Sequence, residues 1–135
     1  MKVRWNRESI RLRITPTEFD AITAGRAVHE GIEFPGTQFW NVTLQAADAE
    51  TTIASDQRGV SVSLSEADRA ALADPEAEGV YFQADQPAAL RYYVEKDFPC
   101  VHKPAPAAGE GVSETFTPPS GFEARKLAPT EINGD

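Results

Sequence analysis

Apolar residues recur along this chain in the same order twice, with a shift of fifty positions. Val3 and Trp5 alternate with polar neighbours on odd positions, and Ile10, Leu12 and Ile14 then alternate on even ones. Ile53 is followed in the same way by Val60, Val62 and Leu64. Period-two alternation marks strands, and a change of phase marks a turn between them. The turns fall at residues 6–9 and 56–59, where Gly59 can supply positive φ. Each copy therefore opens as a hairpin.

A short helix follows in each copy. Thr15-x-x-Glu18 has the capping-box form, with Pro16 at the first helical position, Phe19 and Ile22 on one face and Gly25 as the stop. Ser65-x-x-Asp68 leads into Leu72 and ends at Asp74-Pro75. Helices of two turns hold only when packed against a sheet. Two more strands close each copy. Gly31-Ile32-Glu33-Phe34 matches Gly79-Val80-Tyr81-Phe82, and residues 39–45 match 89–95 through Trp40-Val42-Leu44 and Leu90-Tyr92-Val94.

A repeat of this kind is one supersecondary unit used twice. The pattern predicts a mainly β, β-rich α+β fold: a small barrel of two tandem ββαββ units, residues 1–46 and 51–97, with two short helices and a pseudo-two-fold axis. Residues 1–102 form the expected compact domain. From Lys103 onward lie five of the chain's ten prolines and little periodicity, so residues 103–135 are expected to be a mostly disordered tail. Phe116 and Phe122 are the positions in it that could anchor to the body.

Composition narrows the function classes. The 135 residues carry a net charge of −8, unevenly spread: residues 1–13 hold five bases and one acid, the rest eight bases and twenty acids. An acidic body disfavours general nucleic-acid binding. The start has no apolar signal-peptide core and no segment is long and apolar enough for a membrane helix. A single cysteine precludes an internal disulfide framework, and the expected location is cytoplasmic.

Two groups of residues could carry chemistry. Arg4, Arg7, Arg11 and Arg13 form a candidate surface for an anion or partner protein. Arg11 and Arg13 are expected on the solvent face of a half-buried strand, free or paired with acids across the sheet. Glu95, Lys96, Asp97, Cys100 and His102 form a second cluster. Cys100 could be a nucleophile with His102 as base; the alternative is a small buried core side chain. The Glu95-Lys96-Asp97 run has its own plain reading, a charged terminal strand protecting a sheet edge. Cys100, His102, Asp97 and His29 lack the paired spacing of a zinc site. No phosphate loop, HExxH or GxSxG element occurs, so neither metal nor cofactor is implied. Trp5, Trp40, Tyr92 and Tyr93 are read as core and rim aromatics.

The second copy resembles the AbrB/SpoVT-type swapped-hairpin unit: Asp56-Gln57-Arg58-Gly59, the strand through Leu64, then Glu66 and Asp68-Arg69 leading to Leu72, with Gly79-Val80-Tyr81-Phe82 as third strand. The resemblance implies two interlaced units, here within one chain. Its relatives bind DNA through arginines near the hairpins. In this chain Arg4, Arg7, Arg11 and Arg13 face Ala54, Gln57, Ser61 and Ser63 in the other copy, so the second half-site that a two-fold DNA reader needs is missing. Over residues 1–120 the chain resembles a family of small uncharacterised bacterial proteins, through Met1-Lys2-Val3-Arg4, Ser9-Ile10-Arg11-Leu12-Arg13 and Val94-Glu95-Lys96-Asp97-Phe98-x-Cys100. That resemblance implies a shared fold and no established activity.

The sequence thus points first to a non-catalytic binding or scaffold domain, with another protein or a small anionic ligand as partner. A regulator using the N-terminal arginines and an enzyme relying on Cys100 are the alternatives. The expected state is either a monomer that is itself an internal pseudo-dimer or a weak homodimer.

Overall fold

Eight strands and two helices follow one another as ββαββ–ββαββ. They are β1 (Lys2–Trp5), β2 (Ser9–Ile14), α1 (Pro16–Thr23), β3 (Val28–Glu33), β4 (Phe39–Ala46), β5 (Thr52–Asp56), β6 (Gly59–Leu64), α2 (Glu66–Ala73), β7 (Gly79–Gln83) and β8 (Arg91–Lys96). The computed structural model describes residues 1–36, 38–85, 89–99 and 114–122.

Equivalent side chains make equivalent local bonds in the two units. In the first turn Asn6 Oδ1 accepts from the backbone N–H groups of Glu8 and Ser9 at 2.8 and 2.9 Å. In the second, Asp56 Oδ1 accepts from Arg58 and Gly59 at 2.7 and 3.1 Å. Both are Asx turns, in which a short side chain takes the role of a backbone carbonyl. Thr15 and Glu18 form a full capping box on α1. On α2 the Asp68 N–H donates to Ser65 Oγ at 3.1 Å, but the shorter Asp68 side chain does not close the box. Thr51 Oγ1 accepts from the Ser65 N–H instead, at 2.9 Å, and itself donates to Asp68.

The hairpins exchange partners. One sheet has the order β1-β2-β8-β7 and the other β3-β4-β6-β5, so each sheet takes the first hairpin of one unit and the second hairpin of the other. The central pairs are parallel and their registers repeat at the fifty-residue shift: Ile10 lies beside Tyr92 as Val60 lies beside Val42, and Leu12 beside Val94 as Val62 beside Leu44. Ile10, Leu12, Ile14, Val42, Leu44, Val62, Leu64 and Val94 point inward from both sheets into a single core, joined by Ile22 and Leu72 from the helices.

Three expectations need correction. The barrel does not close: β1, β7, β3 and β5 are sheet edges, each hydrogen-bonded to one neighbour. The third strands were matched out of phase. Val28 pairs with Leu44 and Val80 with Val94, so Val28 corresponds to Val80, Glu30 to Phe82 and Ile32 to Ala84. The second unit has two more residues between helix and strand and two fewer in the next turn, and the similar Gly-apolar-x-Phe strings hide that shift. Third, β8 is an interior strand, not an edge, so Glu95-Lys96-Asp97 does not protect an edge.

Residues 114–122, inside the stretch expected to be disordered, lie on the body. The Phe116 N–H donates to Asp97 O at 2.9 Å, Phe116 meets Phe19 and Phe98, and the buried Phe122 meets Phe98 at 4.7 Å.

Candidate functional site

Alternation along β2 and β8 divides their side chains between two environments. Ile10, Leu12 and Ile14 enter the core, so Arg11 and Arg13 lie on the outer face of the first sheet. Cross-strand register adds Lys2 beside Arg13 and Arg4 beside Arg11. From β8 come Arg91, Tyr93 and Glu95, and from β7 Tyr81, opposite Tyr93. Five basic side chains and two tyrosines thus share one face with the Glu95 carboxylate, and Glu8, Asp97 and Glu78 bring further carboxylates to its margins.

Three of those bases already have partners. Arg11 Nε lies 2.7 Å from Glu95 Oε1. The approach is off the line of a good hydrogen bond, which leaves that oxygen without one, so the contact is best read as an ion pair. The same guanidinium sits 5.4 Å from the Tyr93 ring centre. Lys2 Nζ donates to the buried Asp97 at 3.0 Å, and Arg91 approaches Glu8 at 3.5 Å. Among the described residues, Arg4, Arg7 and Arg13 make no ion pair. Tyr81 and Tyr93 meet edge to face at 5.4 Å, and Tyr81 remains 57% exposed. The patch is therefore the outer surface of four strands, with Arg4 and Arg13 free of ion pairs among the described residues beside an aromatic pair, while Arg7 sits apart in the β1–β2 turn.

The counterpart face of the second sheet has no base at the equivalent positions, and Glu33 and Asp56 stand at one end of it. Thr52, Ala54, Ser61 and Ser63 stand where Lys2, Arg4, Arg11 and Arg13 stand in the first. It holds Gln45 donating to Ser63 at 3.1 Å, and His29 against Thr43 at 2.9 Å.

The three described residues of the second sequence cluster lie in different surroundings. Glu95 faces outward beside Arg11. Lys96 is turned inward and buried, donating to Asp74 O at 2.7 Å and lying 5.4 Å from the Phe116 ring centre. Burial holds its ammonium below the ordinary value of 10.5, partly opposed by the Asp74 charge. Asp97 is bound to Lys2. Cys100 and His102 lie outside the described residues, as does the reading of Cys100 as a buried structural thiol. Among the described residues no three His, Cys, Asp or Glu side chains are grouped to hold a metal. No described helix is long and apolar enough to cross a membrane.

Sequence reasoning found the arginines and missed the tyrosine pair. The signal was available: Arg91, Tyr93 and Glu95 have one parity along β8, and Tyr92, Val94 and Lys96 the other. Placing Tyr81 opposite Tyr93 needed the correct phase of β7.

No curated protein and no solved structure matches the chain. Residues 1–120 match a family model described as a family of unknown function (DUF7009), a span that includes both units and reaches through Ser120.

Proposed function

Given that the chain belongs to the DUF7009 family, whose description assigns no activity, we propose that it is a non-catalytic binding domain whose contact surface is the outer face of the first sheet. The occupant is an acidic segment of another protein. The observation that carries this reading is the asymmetry of two equivalent faces: bases and two tyrosines on one, and at the equivalent positions of the other no base and no large aromatic ring. Since the two units repeat each other in register, the fold itself does not require the difference.

The breadth of the face, four strands across, favours a protein partner over a small molecule, and an exposed tyrosine beside arginines offers the residue types that anchor protein interfaces. Arg4 and Arg13 would receive carboxylates, and Tyr81 would cover the apolar part of the segment. The three existing ion pairs limit the free charge and argue against a nucleic-acid regulator. The exchanged hairpins support reading the two units as a swapped-hairpin pair within one chain, acting as a monomer in the cytoplasm.

Calorimetric titration with a peptide of alternating glutamate and tyrosine tests the proposal. Arg4→Glu with Arg13→Glu should weaken binding by roughly tenfold or more and flatten its salt dependence. Placing glutamates instead at Ala54 and Ser63 should change little. Equal affinity in both double variants would refute the assignment.

A further inference from the structure

The seam left open between the two sheets differs on its two sides. On one side Phe82 stacks on Tyr92 at 5.0 Å, and the Tyr92 hydroxyl donates to Thr51 O at 3.5 Å, across to the start of β5. The repeat places Glu30 where Phe82 stands and Val42 where Tyr92 stands, so both rings are missing from the other side. In their place is a groove of about 440 Å³ between β1 and the β3–β4 hairpin, within the usual range for small-molecule pockets.

Its walls have changed in the opposite sense. Trp5 and Trp40 stand where the second unit has Ser55 and Leu90, and they meet edge to face at 5.4 Å. Met1, Val3, Ile32 and Val42 supply the remaining apolar lining. Trp5 and Ile32 are about half exposed, at 55% and 50%, so large apolar surface is left uncovered where the equivalent region is filled by the protein's own rings.

Charge then selects the occupant. The two cations at the groove are engaged, the Met1 amine with Glu18 and Lys2 with Asp97. The Glu30 carboxylate makes no ion pair among the described residues, and it lies beside two indoles, the best rings for holding a cation. We propose that this groove binds an aromatic amine in its ammonium form, whose ring replaces the missing Phe82–Tyr92 stack and whose charged group faces Glu30. The site has Lys2 in common with the basic outer face, where that side chain is held by Asp97, and calls for a ligand of opposite charge.

The chain's two tryptophans both line the groove, so its tryptophan emission reports occupancy directly. Excited at 295 nm, where the probe does not absorb, the full chain should respond saturably to 2-phenylethylamine, with a dissociation constant of about 0.1–5 mM. Phenylacetate and 2-cyclohexylethylamine, which alter the charge and the ring in turn, should bind at least about fivefold more weakly. Glu30→Gln, an exposed change on an edge strand, should weaken the amine by a similar factor while phenylacetate binds no more weakly than to wild type. Glu30→Phe with Val42→Tyr, which rebuilds the stack, should abolish the response.

Absence of saturation, equal response to phenylacetate, or an unchanged response in Glu30→Gln would overturn the proposal. So would an emission shift on protein dilution without probe, which would show the groove filled by a second copy. None of these results bears on the acidic-peptide titration, so the two proposals fail separately.

Discussion

At the residue scale, individual atoms dictate several identities. Gly59 has φ +144°, and a Cβ there would fall 1.7 Å from Asn41 O across the parallel β4–β6 pair. Sequence alone marked Gly59 as a turn glycine; the close approach of the neighbouring strand was invisible without the pairing. Gly59→Ala should therefore lower stability by about 3 kcal/mol, well above the usual loss for a turn position; a urea melt within 1 kcal/mol of wild type would refute the contact. Lys96 is a second case. Its inward parity on β8 was legible, whereas its burial under Phe116 was not, because that ring arrives from twenty residues later. Burial disfavours its charged form, so between its depressed folded value and 10.5 the unfolded chain holds more protons than the native one. The Lys96 contribution should therefore improve as pH rises through that interval. Measured as wild type minus Lys96→Met in urea melts at pH 7 and pH 10, the difference should move in favour of wild type; the opposite sign would contradict it.

At the element scale, turns and helix starts were readable because their signals are local: Asn6 and Asp56 make their own turns, and Thr15 and Ser65 their own caps. The third strands were misread because the phase of β3 and β7 is set by hydrogen bonding to β4 and β8, and by loop lengths that the Gly-x-x-Phe likeness disguises. The segment 114–122 was legible only as two candidate anchors, Phe116 and Phe122. Proline-rich composition suggested disorder, yet Phe116 and Phe122 find an aromatic cluster formed by Phe19 and Phe98. Glu114 also accepts from Thr17 Oγ1 at 2.7 Å, and Ser120 N–H donates to Glu76 at 3.2 Å, so the segment ties α1 to the end of α2. Phe116→Ala should cost about 2 kcal/mol and lower the melting temperature by roughly 10 °C. A calorimetric scan identical to wild type would show that the segment does not hold the body.

At the scale of the whole molecule, the exchange of hairpins makes two equivalent outer faces and two equivalent seams, and the sequence has made each pair unequal. The fifty-residue repeat was legible, as was the neutrality of Ala54, Ser61 and Ser63 opposite the arginines. The unequal seams were not, since they depend on the corrected phase that sets Glu30 against Phe82. The net charge outside residues 1–13 is −12, from eight bases and twenty acids. Random duplex DNA at about 0.15 M salt should accordingly bind more weakly than the usual non-specific range of roughly 10⁻⁴–10⁻⁶ M, and tighter binding in a gel-shift titration, lost on Arg11→Ala with Arg13→Ala, would favour a nucleic-acid role instead. The most direct test of the central claim is a map of amide chemical shifts as the glutamate–tyrosine peptide is titrated, with the outer face of the second sheet as internal control. The account predicts changes concentrated at Arg4, Arg11, Arg13, Tyr81 and Tyr93, with Thr52, Ser61 and Ser63 unmoved; changes centred on the second sheet's face, or spread equally over both, would contradict it.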